Sequence, residues 1–131
     1  PELPEVQTIT KDLSNHILGY VIKDCNITKG YVALPTNDTF VNAVLNRRID
    51  NVERIAKNIL VHLDNQKIIH FHLAMTGQIL LKDIKEIPAT GWLRVLLKIE
   101  KDAFESPSFY KPKQLINIRC EDRIYNVPKL L

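Results

Sequence analysis

The chain has 131 residues, 45% of them hydrophobic and 25% charged, with a net charge of +3. That length suits one domain able to bury about two-thirds of its unfolded surface, and the balance is that of a soluble globular protein rather than a disordered one. No apolar run approaches the ~18 residues of a membrane span. Cys25 and Cys120, far apart in sequence and with no apolar leader ahead of them, read as reduced thiols in a cytoplasmic protein.

In chain order, Leu3, Val6, Ile9, Leu13 and Ile17 recur at helical spacing. Pro4 suits the first turn of that helix, Glu2 and Glu5 its positive end, and Gly19 its C-terminal cap. Most of the remaining chain alternates as β-structure. Tyr20–Thr28 reads as a strand, Leu34–Asn37 as a turn, and Asp38–Leu45 as a short helix capped by Thr36, Asn37 or Asp38. Strand patterns then occupy Arg48–Ile55, Ile59–Leu63, Ile68–Leu73, Gln78–Lys82, Leu93–Glu100, Leu115–Cys120 and Ile124–Val127. Asp64-Asn65 and Glu121-Asp122 fit hairpin turns, and Asp102–Lys113, with its Pro and Ser, fits a loop. The fold class this predicts is mostly β with flanking helices: an antiparallel sandwich of about eight strands behind an N-terminal helix. Trp92, at the start of a strand, is expected in the core.

Three segments carry chemistry. The first is Pro1-Glu2-Leu3-Pro4-Glu5-Val6. A proline at a free amino terminus is a secondary amine, able to attack an aldehyde or hemiacetal carbon and form an iminium ion. An α-amino group ordinarily titrates near about 7.7–8.0, against about 10.4 for a lysine, so more of it is free base at neutral pH. Glu2, beside it, can carry protons. The second segment is Arg54-Ile55-Ala56-Lys57-Asn58, a basic pair ahead of an apolar strand. The third is His72-Leu73-Ala74-Met75-Thr76-Gly77, where a strand runs into a Thr-Gly turn. Alternation there places His70, His72 and Ala74 on a polar face, and Ile69, Phe71, Leu73 and Met75 on the core face. The four histidines have no partner cysteines at zinc-binding spacing, so no metal and no cofactor is expected.

Together, in this order and spacing, the three segments resemble the formamidopyrimidine-DNA glycosylases, the Fpg/MutM and Nei-like repair enzymes. The likeness lies within residues 1–77 and is loose from Leu93 onward. It implies the N-terminal catalytic domain of that family over residues 1–131, without the helix–two-turn–helix and zinc-finger domain that comes after it there. It implies base excision repair: removal of an oxidised base, then abasic-site lyase cleavage by β/δ-elimination through a Schiff base on the terminal proline. Pro1 would be the nucleophile, Glu2 the proton shuttle and Lys57 a catalytic lysine reaching the lesion phosphates. Among the DNA contacts, Glu5 would help set the site, and Arg54 and His72 would touch phosphates. Met75 would be the wedge that fills the gap left by a flipped base. The implied partner is double-stranded DNA bearing an oxidised base or abasic site. A monomer, nucleoid-associated in a bacterial cytoplasm, is expected.

The sequence departs from the family pattern at two places. The glycine usual in the His-Leu-Gly-Met segment is Ala74. In the place of the Asp-Pro-Arg-Arg-Phe segment that completes the wedge stands Tyr125-Asn126-Val127-Pro128-Lys129-Leu130-Leu131, in which Pro128 matches and Lys129 is a basic replacement, while the aspartate, second arginine and phenylalanine are absent. The alternative function is therefore a truncated, non-catalytic homologue acting as a nucleic-acid or protein-binding module. A tautomerase using Pro1 as base is disfavoured, because such chains run from the proline straight into a strand.

Overall fold

The computed structural model describes residues 1–85, 91–102, 113–121 and 128–131. It contains a helix α1 (Leu3–His16), a strand β1 (Val21–Ile27), a helix α2 (Asn37–Val44) and then β2 (Ile49–Ile55), β3 (Asn58–Leu63), β4 (Ile68–His72), β5 (Gln78–Asp83), β6 (Leu93–Asp102), β7 (Lys113–Glu121) and β8 (Lys129–Leu130). The strands form two four-stranded sheets, ordered β1-β6-β7-β5 and β2-β3-β4-β8, with every paired strand antiparallel. The two-sheet, mostly β architecture expected from the alternation is the one found.

The core lies between the sheets and is fed by alternation, which is strict in β3. In β3, Ile59, Val61 and Leu63 point inward; in β4, Ile69 and Phe71 do so, while Val95, Leu97 and Ile99 of β6 face them from the other sheet. α1 packs on β2 and β3 and buries Val6, Leu13 and, just past its end, Ile17. Each such side chain is worth about 1.5–3 kcal/mol on burial. Thr10 lies on the same buried face and donates its hydroxyl to the Val6 carbonyl at 2.8 Å, so no polar atom is left unpaired there. α2 starts at Thr36, whose hydroxyl accepts from the Thr39 N–H at 3.1 Å.

Several expectations shift in detail. α1 ends at a C-cap on Ile17, not Gly19; Gly19, at φ +84°, instead begins the reversal into β1 and donates its N–H to the Ile49 carbonyl at 2.8 Å. Trp92 precedes the ladder of β6 and is half-exposed rather than buried. Asp102 and Lys113 are the last and first residues of β6 and β7, and residues 103–112 lie outside the described ones. The strand expected at Ile124–Val127 and the turn residue Asp122 also fall outside them. β8, unforeseen, pairs Leu130 with Ile69 and Lys129 with His70. Cys25 and Cys120 are free and buried, facing the core. Burial, with Asp24 adding to it, pushes the Cys25 thiol up to about 12, and burial drives Cys120 in the same direction.

Candidate active site

The N-terminal end of α1 is fixed by its own sequence. Glu2 is extended, and its carbonyl accepts from the N–H groups of Glu5 and Val6, both at 3.1 Å. Glu5 Oε1 accepts from the Glu2 N–H at 3.4 Å, which holds the residue preceding the helix in line with the axis. The Glu2 side chain is left 83% exposed, with Oε2 3.9 Å from Lys57 Nζ. An ion pair that exposed contributes about 0–1 kcal/mol. Its consequence is one of position: it sets a cation beside a carboxylate at the mouth of a helix.

Lys57 occupies the tip of the hairpin between β2 and β3, whose last paired residues are Ile55 and Asn58. The turn is tight enough that Ala56 adopts φ +53°. Two side chains hold its carbonyls: Arg54 Nη1 donates to the Ala56 oxygen at 2.8 Å, and Asn58 Nδ2 to the Ile55 oxygen at 3.1 Å. The Arg54 guanidinium is thus engaged within its own turn.

The third contribution is the turn joining β4 to β5, which carries the chain from one sheet to the other. Gly77 donates its N–H to the Leu73 carbonyl at 2.8 Å, and a Cβ on Gly77 would lie 2.5 Å from that same oxygen. Only glycine fits so close an approach. Ala74 takes φ +49°, and its N–H donates to His72 Nδ1 at 3.3 Å. The reversal at Ala74 throws Met75 out of the strand's alternation, so Met75 is 81% exposed rather than on the core face.

The helix entry and the β4–β5 turn line an open cleft of about 380 Å³, with Pro1, Glu5, Met75, Thr76, Gly77 and Gln78 on its walls. Pro1, Glu5 and Met75 therefore share one cleft, and the Glu2–Lys57 pair stands next to Pro1. His72 is exposed and is the cross-strand neighbour of Asn58, one residue from Lys57. Lys129 is placed elsewhere: it pairs with His70 on β4, two residues along from His72, and does not line the cleft. Burial, then the nearby His72 and Lys129, push the half-buried His70 below its ordinary pKa. Thr76, from the third segment, also lines the cleft, as do Thr8 and Gln78, which belong to none of the three segments. The helical interval from Glu5 to Thr8, and the position of Gln78 directly after the turn glycine, were the signals that could have found them. Among the described residues no three His, Cys, Asp or Glu side chains gather as a metal site requires.

Comparison with known proteins adds an independent line. Residues 1–114 match the family described as Formamidopyrimidine-DNA glycosylase N-terminal domain. The formamidopyrimidine-DNA glycosylase of Herpetosiphon aurantiacus is 33% identical over 103 residues, covering 76% of this chain and 37% of that protein. That of Protochlamydia amoebophila is 35% identical over 102 residues, with the same two shares of 76% and 37%. The chain thus spans little more than a third of the length of these relatives. Among solved structures, the Lactococcus lactis Fpg in complex with DNA containing an abasic site superposes with a TM-score of 0.81 at 20% identity, over 100% of this chain and 43% of that one. MutM in complex with DNA containing carbocyclic 8-oxo-G does so with a TM-score of 0.81 at 21% identity, over 100% and 44%. At such identities these two similarities speak for the fold.

Proposed function

The chain belongs to the formamidopyrimidine-DNA glycosylase family, and from that premise we propose that it carries the catalytic half of a base-excision repair enzyme acting on oxidised bases and abasic sites in duplex DNA. The observation behind this reading is the convergence of three distant segments in and beside one cleft: Pro1 and Glu5 from the helix entry, Lys57 from one hairpin and Met75 from another turn.

The chemistry follows from those groups. With Pro1 as the free chain terminus, its nitrogen lone pair attacks C1′ of the sugar. At a damaged nucleotide the base departs with the C1′–N bond electrons and the C1′–O4′ bond then breaks, O4′ taking a proton; at an abasic site the aldehyde condenses with loss of water. Either route leaves an iminium ion on the proline. The iminium acidifies C2′, a base takes that proton, and the electrons expel the 3′ phosphate, cleaving the strand. Hydrolysis of the iminium then returns the amine. Glu2, exposed and adjacent to Pro1, is suited to carry protons to the opening sugar and from C2′. Lys57, held 3.9 Å from the Glu2 carboxylate, would pair with a phosphate of the bound strand. His72 would add a second phosphate contact, giving affinity and register rather than base specificity. Met75, apolar and projecting from the turn, would fill the stack vacated by an extruded nucleotide.

The test is borohydride trapping. The chain, prepared with Pro1 as its first residue, is incubated with an abasic-site duplex and sodium borohydride, and a covalent band is sought by gel. A band is expected, and it should vanish on Pro1→Gly or when an extra residue precedes Pro1. Trapping that survives both changes would remove Pro1 from the mechanism. Salt-sensitive DNA binding with no trapping would instead favour a non-catalytic binding module.

A further inference from the structure

We infer that Asn58 and His70 are positioning residues that lock the Lys57 turn, and through it hold the Lys57 ammonium beside Glu2 and the Pro1 end of the cleft. The catalytic consequence of that lock rests on the repair function proposed for the cleft.

The geometry is a relay of three groups on three strands, the Ile55 carbonyl of β2, Asn58 of β3 and His70 of β4. Asn58 is the last residue of the hairpin pairing, and its Nδ2 donates to the Ile55 carbonyl at 3.1 Å, closing the turn from its C-terminal side. With the amide nitrogen committed there, the Asn58 oxygen faces away, towards β4. His70 Nε2 lies 2.8 Å from it. An oxygen of this kind can only accept, so Nε2 carries the proton and donates, and the neutral ring is the Nε2–H tautomer. The sequence around this relay explains why a lock is needed. Ala56 holds a left-handed conformation that an L-residue adopts reluctantly, with no glycine to relieve it. Arg54 secures the Ala56 carbonyl from one side, and the His70–Asn58 pair secures the Ile55 carbonyl from the other. Lys57 is the tip between these two clamps. Its own side chain is about half exposed and meets Glu2 only at 3.9 Å, so it has little that would hold it in place without the turn.

His70 is suited to the task by its surroundings. It is half-buried between β3 and β8, and the groups facing it are Asn58 and Leu60 from β3, His72 on its own strand and Lys129 from β8. Burial, and after it His72 and Lys129, lower its pKa from the ordinary value and so disfavour a second proton. The donated hydrogen bond does not depend on that, because Nε2 keeps its proton in both the neutral and the charged ring.

The experiment is a double-mutant cycle between His70 and Lys57, read by the single-turnover rate of borohydride trapping on a saturating abasic-site duplex. His70→Phe, which keeps the bulk and loses the donor, should slow trapping about tenfold with Lys57 present and less than twofold in the Lys57→Ala background. His70→Gln, which can still donate an N–H, should stay within about threefold of the parent. Asn58→Leu should match His70→Phe, and the double variant should be no slower than either. Equal losses with and without Lys57 would overturn the inference, since that pattern belongs to a general loss of fold. No loss in His70→Phe would overturn it as well. Were the parent chain itself to form no adduct, the proposed function would fall, and amide hydrogen exchange at Ala56–Asn58 would judge the lock by itself. Faster exchange there in His70→Phe but not in His70→Gln supports it; unchanged exchange refutes it.

Discussion

Replacing Gly77 with alanine asks whether the turn that presents Met75 is held by the close approach of Gly77 to Leu73. The added Cβ would sit 2.5 Å from the Leu73 oxygen, 2.8 Å from its Cα and 2.9 Å from its Cβ. Two of these are backbone atoms of a residue fixed at the end of β4, so no flexible side chain can swing aside. The turn has to open, and overpacking of this kind costs about 1–3 kcal/mol. Opening it also lengthens the Gly77 N–H to Leu73 carbonyl bond, now 2.8 Å, at a further cost of about 0.5–1.5 kcal/mol. The expected destabilisation is about 2–4 kcal/mol. Urea unfolding followed by far-ultraviolet circular dichroism should then show a midpoint lower by about 1–2 M with an unchanged slope. A neighbouring change provides the opposite sign. Ala74 stands at φ +49°, and Ala74→Gly relieves a left-handed penalty of about 1–2 kcal/mol while adding about 0.4–1 kcal/mol of unfolded-chain entropy. Ala74→Gly should therefore be neutral or stabilising by up to about 1.6 kcal/mol. A Gly77→Ala loss below about 0.5 kcal/mol, or a clear loss in Ala74→Gly, would refute this account of the turn.

Met75→Ala should separate stability from function. At 81% exposure the side chain has little packing to lose, so the unfolding free energy should move by less than about 0.5 kcal/mol, while binding to an abasic-site duplex weakens measurably in a fluorescence-anisotropy titration. A stability loss comparable to a core truncation would mean that Met75 packs on the fold. His70 predicts a pH effect. Its folded pKa lies below the ordinary value near about 6.5, so the unfolded chain takes up the proton first. Its contribution to stability is complete above about pH 6.5 and is lost as the pH falls through the lower folded pKa. Compared with His70→Gln in urea melts from about pH 7.5 down to about pH 5, the parent should lose stability more steeply; parallel profiles would contradict that.

Much of this structure was legible in the sequence because the physics was local. The alternation of β3, Ile59-Leu60-Val61-His62-Leu63, survives in the fold residue by residue as buried and half-buried positions. The helix spacing of Val6 and Leu13 likewise became the face of α1 that packs on β2. β8 was not legible, because two residues carry no periodicity; Lys129 and Leu130 become a strand only by pairing with β4. Met75 shows the limit of alternation from the other side: the period holds to Leu73 and is broken by the left-handed Ala74, which the residue types did not announce. For the site, Pro1, Glu2 and Lys57 could be named from their motifs; in the fold Pro1 lines the cleft and Lys57 lies 3.9 Å from the Glu2 carboxylate. The Asn58–His70 contact spans two strands and depends on the orientation of one amide, which is a tertiary fact with no trace in either segment.

The turn from β4 to β5 has a consequence for how such a protein changes over generations. It is a crossing between two sheets, and Met75, Thr76 and Gly77 of the cleft lining sit on it, while Lys57 sits on the separate β2–β3 turn. Selection can therefore act on exposed turn positions such as Met75, Thr76 and Lys57, where most substitutions cost less than about 0.5 kcal/mol, while the interior of the sandwich drifts under a separate constraint of volume and shape. A lineage built this way can exchange one ligand preference for another through turn substitutions without re-solving the folding problem. Gly77 is the pivot at which the two constraints meet.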